Sequence, residues 1–410
     1  MPNEPQHRTE APAQPQPRRL VSLDALRGFD MFWIMGGDSL AGALGALSQN
    51  AFIKAITDQL EHVEWAGLRF YDCIFPLFVF IVGVSLTFSI GRTIEQHGRR
   101  EALFRIARRS ALMFALGVFY YGGFNPHWPD IRLVGVLHRI ALCYLFASVF
   151  FCFFSWRALA GICAGLLVGY WALLSFMPFP DVRAVDANGQ LLGSGMVTNT
   201  AQLNWSSSKM VKGVFEPGFN YAHYVDQKYL PGKKWDKTWD PEGLLSTLPA
   251  IGTCLLGVLA GLWLRNQRVD DRRKVLLLTL AGVVAIAAGL GWSVQFPIVK
   301  KIWSSSFVLV TGGVSALLLA AFYYLVDILH YQRWCQPFIW YGMNAITVYM
   351  ADNIMNFRLI SLRLFGGDVR DFLDAHVAAG FGELVRSCGE IGVGLAIVWF
   401  LYRKKLFLRL

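Results

Sequence analysis

Ten apolar runs, each near twenty residues, follow one another along this chain: about 28–47, 70–90, 102–121, 135–154, 158–177, 243–264, 274–293, 305–327, 337–355 and 387–402. A helix needs about 20 apolar residues to cross a bilayer. Inside lipid every backbone N–H and C=O must also be satisfied within the segment. The pattern therefore predicts an all-α, polytopic integral membrane bundle of about ten transmembrane helices. Composition agrees, since 55% of the 410 residues are hydrophobic and only 16% are charged. A soluble domain carries about 25% charged residues, so an ordinary soluble enzyme is disfavoured. Nothing in the pattern points to a nucleic-acid partner.

Charge asymmetry sets the expected orientation. With the N-terminus inside, 21 basic residues fall on inner segments and 17 on outer ones. Seven of the 17 lie in the loop 178–241, which leaves 10 outside when that loop is set aside. Long loops are discounted by the positive-inside rule, so both termini are expected in the cytoplasm. Residues 1–19, with five prolines before Arg18 and Arg19 and no apolar core of a signal peptide, read as a flexible cytoplasmic tail. Residues 20–410 then form one transmembrane domain, expected in the inner membrane of a bacterial cell. No internal repeat is visible, unlike many secondary transporters.

Two outer segments are unusually polar. Residues 178–241 mix Trp205, Trp235, Trp239, Tyr221 and Tyr224 with Asn220, His223, lysines and aspartates. A loop this long is commonly functional, and it reads either as a sugar-holding surface or as an interfacial lid. Residues 356–386 read as a solvated loop or short surface helix. The seven cysteines lie in or beside apolar runs, with no CxxC pair and no histidine cluster. They are expected to be small buried hydrophobes rather than disulfides or metal ligands. Glycines at 161, 165 and 169, and at 257 and 261, favour close helix contact within a monomer or across a homodimer.

Ionisable groups within the apolar runs are costly, and so they mark sites or ion pairs. Asp24 and Arg27 are three apart and share a helix face. Asp38 follows two glycines in the first run and needs a partner from elsewhere, with Arg139 or His62 as candidates. Asp72 opens the second run, and a pair between Asp72 and Arg139 is one reading of both. Asn344 lies in the ninth run. His62 precedes the second run; an imidazole with a pKa near 6.5 suits a general base, although a solvated interface histidine would look the same. Asp240-Pro241-Glu242-Gly243 reads mainly as a helix cap.

These residues fall into blocks that resemble the heparan-α-glucosaminide N-acetyltransferase family. The blocks are Ser22-Leu23-Asp24-Ala25-Leu26-Arg27-Gly28, and His62-x-x-Trp65-x-Gly67-Leu68-x-x-x-Asp72-x-x-Phe75-Pro76. They continue with Gly135-Val136-Leu137-His138-Arg139, Asp240-Pro241-Glu242-Gly243 and Tyr341-Gly342-Met343-Asn344. The resemblance implies a transmembrane acyltransferase that moves acetyl from cytosolic acetyl-CoA to an amino sugar on the far side of the membrane, without a metal. It places the catalytic histidine on His62. Its catalytic partner is expected at Asp38, where the family has an asparagine, a departure, because a carboxylate can hold a proton or an imidazolium and an amide cannot. On the same ground Asp24, Arg27, Asp72 and Arg139 are expected at the cofactor, and Trp65, Glu242 and Asn344 at the acceptor. The luminal N-terminal domain and extra leading span of the lysosomal members are not expected here. Read from the residues alone, a sugar permease and a helix scaffold stay open, and acetyl-CoA binding separates them from the enzyme.

Overall fold

The computed structural model describes residues 20–186, 188, 190–192 and 196–407, so the expected tail at 1–19 lies outside the described residues. Helix α1 (Val21–Leu47) begins where the Asp327 carboxylate accepts the Val21 and Ser22 N–H groups, each at 3.1 Å. Those are two of the four donors a helix N-terminus leaves open, and a negative charge suits that end of the helix dipole. A short α2 (Ala51–Leu60), capped by the Asn50 side chain, was not marked by the apolar runs. A loop and a single 3-10 turn (Phe70–Cys73) then lead into α3 (Ile74–Tyr120).

Helix α3 is two spans in one. Gly98, at φ 80° and ψ 172°, breaks it between the second and third apolar runs. Residues from Ser89 to Gln96 and from Arg105 to Arg109 line one cavity, so the halves fold back on each other. Helices α4 (Val136–Phe153) and α5 (Trp156–Phe176) follow. The long loop forms a small lobe. In it β1 (Phe179–Pro180) pairs antiparallel with β2 (Met210–Val211), and β3 (Phe215–Glu216) with β4 (Phe219–Asn220), ahead of α6 (Tyr221–Tyr229). Next come α7 (Thr247–Arg265), α8 (Asp271–Trp292) and α9 (Ser305–Phe322), the last continuing as a π-helical stretch to Ile328. Helices α10 (Gln336–Met343) and α11 (Ala345–Met355) are separated by Asn344; α12 (Phe357–Phe365), α13 (Asp368–His376) and α14 (Phe381–Arg403) complete the chain.

Among the described residues, seven helices are long and apolar enough to cross a membrane. Helix α1 is not one of them, because Asp24, Arg27, Asp30 and Asp38 dilute its hydropathy. Helices α10 and α11 fail singly because the break at Asn344 leaves each too short. The stretch 356–386 is also more ordered than expected. Helix α12 packs on α14, and Arg386 is buried between Glu383, at 2.6 Å, and Glu390, at 3.3 Å. All seven cysteines are unpaired, and six are buried, but Cys388 is exposed.

Small residues decide which helices cross closely. A Cβ on Gly257 would collide with the Phe80 carbonyl of α3, and one on Gly83 with the Cys254 carbonyl of α7. Gly28 and Gly342 bring α1 against α10 in the same way. The other glycine stripe behaves differently, since a Cβ on Gly161, Gly165 or Gly169 would meet nothing within 4 Å among the described residues. Overpacking a close crossing costs about 1–3 kcal/mol. Gly257→Leu should therefore lower the thermal midpoint of the purified protein in detergent, and Gly165→Leu should leave it unchanged. Equal midpoints for the two variants would show that the α3–α7 crossing is not tight.

Candidate active site

Polar groups gather at two ends of the bundle. At one end Arg27 is held by three acceptors. Its Nη2 donates to Ser85 Oγ at 2.7 Å, its Nη1 donates to the Gly342 carbonyl at 3.3 Å, and Asp24 lies 3.6 Å away. Arg27 opens onto a cavity of about 700 Å³, which Arg92, Arg105, Arg108 and Arg109 also line. So many guanidinium groups around one space repel one another unless an anion enters, and planar forked donors match phosphate oxygens. A narrower cavity of about 120 Å³ shares Arg27, Arg109 and Tyr144 and reaches Asn344 in the helix break. Asn344 is 2% exposed, and neither amide atom has a partner among the described residues.

At the other end stands His62, on the loop between α2 and α3. Its Nδ1 donates to Asp72 Oδ1 at 2.8 Å. The second oxygen, Oδ2, accepts the Val63 and Arg69 N–H groups, each at 3.2 Å. This buried carboxylate therefore fixes both the loop and the imidazole. With Nδ1 committed, Nε2 is the basic nitrogen, the assignment that the hydrogen-bond network favours. The Tyr71 ring packs on the imidazole, with centroids 4.7 Å apart. Lys300 Nζ lies 2.9 Å from Nδ1, 3.2 Å from Nε2 and 3.5 Å from Asp72 Oδ1.

Asp38 does not touch His62 or Arg139. Its carboxylate interacts with the Tyr71 phenol, and its charge is felt at Lys300. Asp38 thus meets Tyr71, whose ring packs on His62, while the hydrogen-bond partner of His62 is Asp72. Arg139 does not pair with Asp72 either. It donates to the Pro241 carbonyl at 3.0 Å and to Ser246 Oγ, and its guanidinium lies over the Trp303 ring at 4.8 Å. The four residues expected at the cofactor are therefore divided: Asp24 and Arg27 face the arginine-lined cavity, Asp72 holds His62, and Arg139 braces the turn before α7.

That turn is more than a helix cap. Asp240 takes a bidentate bond from Arg132, at 3.0 and 2.8 Å, and accepts the Trp235 and Glu242 N–H groups. Arg132 also reaches Glu242 Oε2 at 3.0 Å. Helix α7 itself begins only at Thr247, so the cap expected at Asp240 closes a separate turn. Burial raises the pKa of Glu242, against the pull of Arg139 and Arg132.

Beside this cluster the small lobe formed by the long loop encloses a cavity of about 550 Å³ lined by Trp65, Trp239, Arg183, Lys301, Gln227 and Asp236. Trp65 donates its indole N–H to the Phe215 carbonyl at 2.8 Å. Gln227 Oε1 and Asp236 Oδ2 are buried without partners among the described residues. Acceptor oxygens between aromatic faces suit a polyhydroxylated ligand. No group of three metal-ligating side chains is found among the described residues.

Comparison with known proteins matches residues 19–189 to the catalytic-domain model of heparan-alpha-glucosaminide N-acetyltransferase. The mouse heparan-alpha-glucosaminide N-acetyltransferase is 26% identical over 403 residues, covering 85% of this chain and 56% of the mouse protein. The human protein is 25% identical over 397 residues, covering 85% of this chain and 55% of its own length. These matches make the chain similar to this N-acetyltransferase family over most of its length. It spans about half the length of these relatives. The family match contains Asp24, Arg27, Asp38, His62, Trp65, Asp72 and Arg139, whereas Glu242 and Asn344 lie beyond it.

Three polar residues have structural roles that their sequence context does not reveal. Asp30 lies within the first apolar run, fully buried and without a partner among the described residues. Arg132 carried no mark of its acidic partners, which are over a hundred residues away. Lys300 looked like an ordinary loop lysine.

The lobe also carries a titratable lock. Asp226, buried on α6, accepts the Leu244 N–H at 2.9 Å, and burial pushes its pKa up to about 7. An unfolded chain releases that proton near pH 4. The folded state therefore binds more protons between these values, and this contribution to stability falls as pH rises from about 4 to about 7. Asp226→Asn keeps an acceptor and removes the titration. Across pH 4.5–8 the midpoint of wild type relative to Asp226→Asn should fall and level off above about 7; a flat difference would contradict the shift.

Proposed function

We propose that this chain is a transmembrane acetyltransferase that carries acetyl from acetyl-CoA, bound at one face, to the amine of an amino sugar at the other. The observation that carries this reading is the separation of two complementary polar ends along shared helices. The arginine-lined cavity suits the phosphates of CoA, and the His62–Asp72 pair suits acyl transfer. From Asp72 to Arg92 the chain climbs about 30 Å at 1.5 Å per residue, close to the thickness of a bilayer's hydrocarbon core. The nucleotide stays with Arg27, Arg92 and Arg108, because its charges cannot enter an apolar core unaided. The pantetheine arm passes Asn344, whose unmet amide can bond to the arm's own amides.

In this scheme His62 Nε2 removes the proton of the acceptor amine as it attacks the thioester. Asp72 stabilises the imidazolium that forms, and the proton passes to the departing sulfur. An amino sugar fits the aromatic and polar outer cavity, and the relatives are named for a glucosaminide. The full arrangement has ten crossings: α1, the two halves of α3, α4, α5, α7, α8, α9, α10 with α11, and α14. Both ends are in the cytoplasm and the lobe is outside, in the inner membrane of a bacterial cell.

The test is acetyl transfer from labelled acetyl-CoA to glucosamine-type amines by the purified protein. A general base contributes about 10²–10⁴-fold, so His62→Ala should lose activity on that scale and still bind acetyl-CoA. Asp72→Asn should fall steeply, because it removes the charge beside Nδ1. Asp38→Asn should keep substantial activity, because an amide can still bond to Tyr71. Arg92→Ala with Arg108→Ala should weaken acetyl-CoA binding by at least about tenfold, since bonds to charged groups contribute about 1.5–3 kcal/mol each. A folded wild-type protein that binds no acetyl-CoA would overturn the reading in favour of a permease.

A further inference from the structure

Lys300 is placed by backbone rather than by side-chain chance. The segment before it pairs with the loop that bears His62: Val299 forms a β-bridge with Ala66, and Gly67 N donates to the Ile298 carbonyl at 2.9 Å. Ser304 Oγ accepts the Val299 N–H at 3.1 Å. The turn after it ends at Trp303, a non-glycine residue with φ 51°, whose buried indole donates to Thr253 Oγ1 at 3.0 Å. Such a backbone persists only where its surroundings over-determine it. The next side chain, Lys301, goes elsewhere, to the Trp239 face and the outer cavity.

A primary aliphatic amine thus stands 3.2 Å from the basic nitrogen of His62, within the reach a general base needs of the proton it removes. This is the position that an amino-sugar amine must occupy in the reaction above, and Lys300 offers the same functional group. Burial lowers its pKa and favours the neutral, nucleophilic form, while Asp72, Glu242 and, less strongly, Asp38 oppose that. We propose that Lys300 is a modification site: when an acyl thioester is bound and no acceptor amine is present, Lys300 Nζ itself takes the acetyl group. This inference rests on the acetyltransferase reading.

The step balances. The neutral amine attacks the thioester carbonyl, a C–N bond forms and the C–S bond breaks with its electron pair on sulfur. His62 accepts one amine proton and returns it to the thiolate, giving N-acetyl-lysine and free CoA thiol. The amide is stable, so the product is a dead end that removes the cation beside Asp72 and fills the acceptor's place.

Full-length protein in detergent, incubated with isotope-labelled acetyl-CoA and no acceptor, should carry label on Lys300 in tandem mass spectra after digestion. The label should resist hydroxylamine, unlike an acetyl-imidazole. Lys301 serves as the internal control for non-enzymic acetylation, and it should carry far less. A His62→Ala protein that still binds acetyl-CoA should lose the Lys300 label by about 100-fold, and excess glucosamine should suppress it in wild type. Equal labelling of Lys300 and Lys301, or undiminished labelling in His62→Ala, would overturn the proposal. So would an unlabelled Lys300 in a preparation that acetylates an added amine, and that result leaves the acetyltransferase reading standing. Failure of the reading itself has a different signature, no acetyl-CoA binding and no transfer to any amine, and the proposal falls with it.

Discussion

One buried carboxylate organises the end of the bundle that carries His62. Asp72 is 1% exposed and accepts from the His62 imidazole and from two backbone N–H groups of the same loop. A buried acceptor of this kind is expensive to leave unmet, so the loop between α2 and α3 has little freedom. Everything arranged around it follows from that: which imidazole nitrogen is basic, where Tyr71 packs, and how close Lys300 approaches. The carboxylate is carried on the turn that starts α3, so the orientation of the histidine is tied to the helix that also lines the arginine-rich cavity.

The bundle solves a conflict between lipid and charge by sending its charges to the ends. The first half of α3 and the middle of α7 are apolar and are joined through glycines that let two backbones meet. Charged groups appear where the apolar run thins: Arg27 with its Ser85 and Gly342 acceptors on one side, and the Arg132–Asp240–Glu242 cluster on the other. Asn344 and Asp30 are among the exceptions, polar side chains buried within the core without partners among the described residues. Asn344 stands in a helix break beside a cavity, a place where irregular backbone in a membrane protein is tolerated. The site is therefore a pair of polar ends joined by a narrow interior, and no single cluster makes it.

Much of this was legible in the chain because the relevant physics is local. A run of about twenty apolar residues is long enough to span by itself, although the runs 28–47 and 337–355 gave helices too polar or too short to qualify, and the blocks that resemble the family are short stretches of contiguous sequence. The break at Gly98 could be placed between two runs, and His62, Asp72 and Trp65 belong to one uninterrupted block. Partnerships across the bundle were not legible in this way. Spacing offers His62 or Arg139 as partners for Asp38, yet Tyr71 lies against it; it offers Asp72 for Arg139, yet Arg139 braces the turn at Pro241 and Ser246. Spacing along one helix says which face a group is on, not which helix will come to rest against that face.

The amino-acid sequence by itself determined that the chain is a helical membrane protein and which of its blocks resemble the acetyltransferase family. Both follow from periodicity, hydropathy and the identity of adjacent residues. The tertiary structure alone decided that Asp72 is the partner of His62, that Lys300 from a distant loop stands beside that histidine, and that five arginines of α1 and α3 share one cavity. The reason is physical. A buried ionisable group must be met by whatever polar group packing brings within about 3 Å, and that neighbour is selected by helix crossings and loop pairings hundreds of residues apart in the chain.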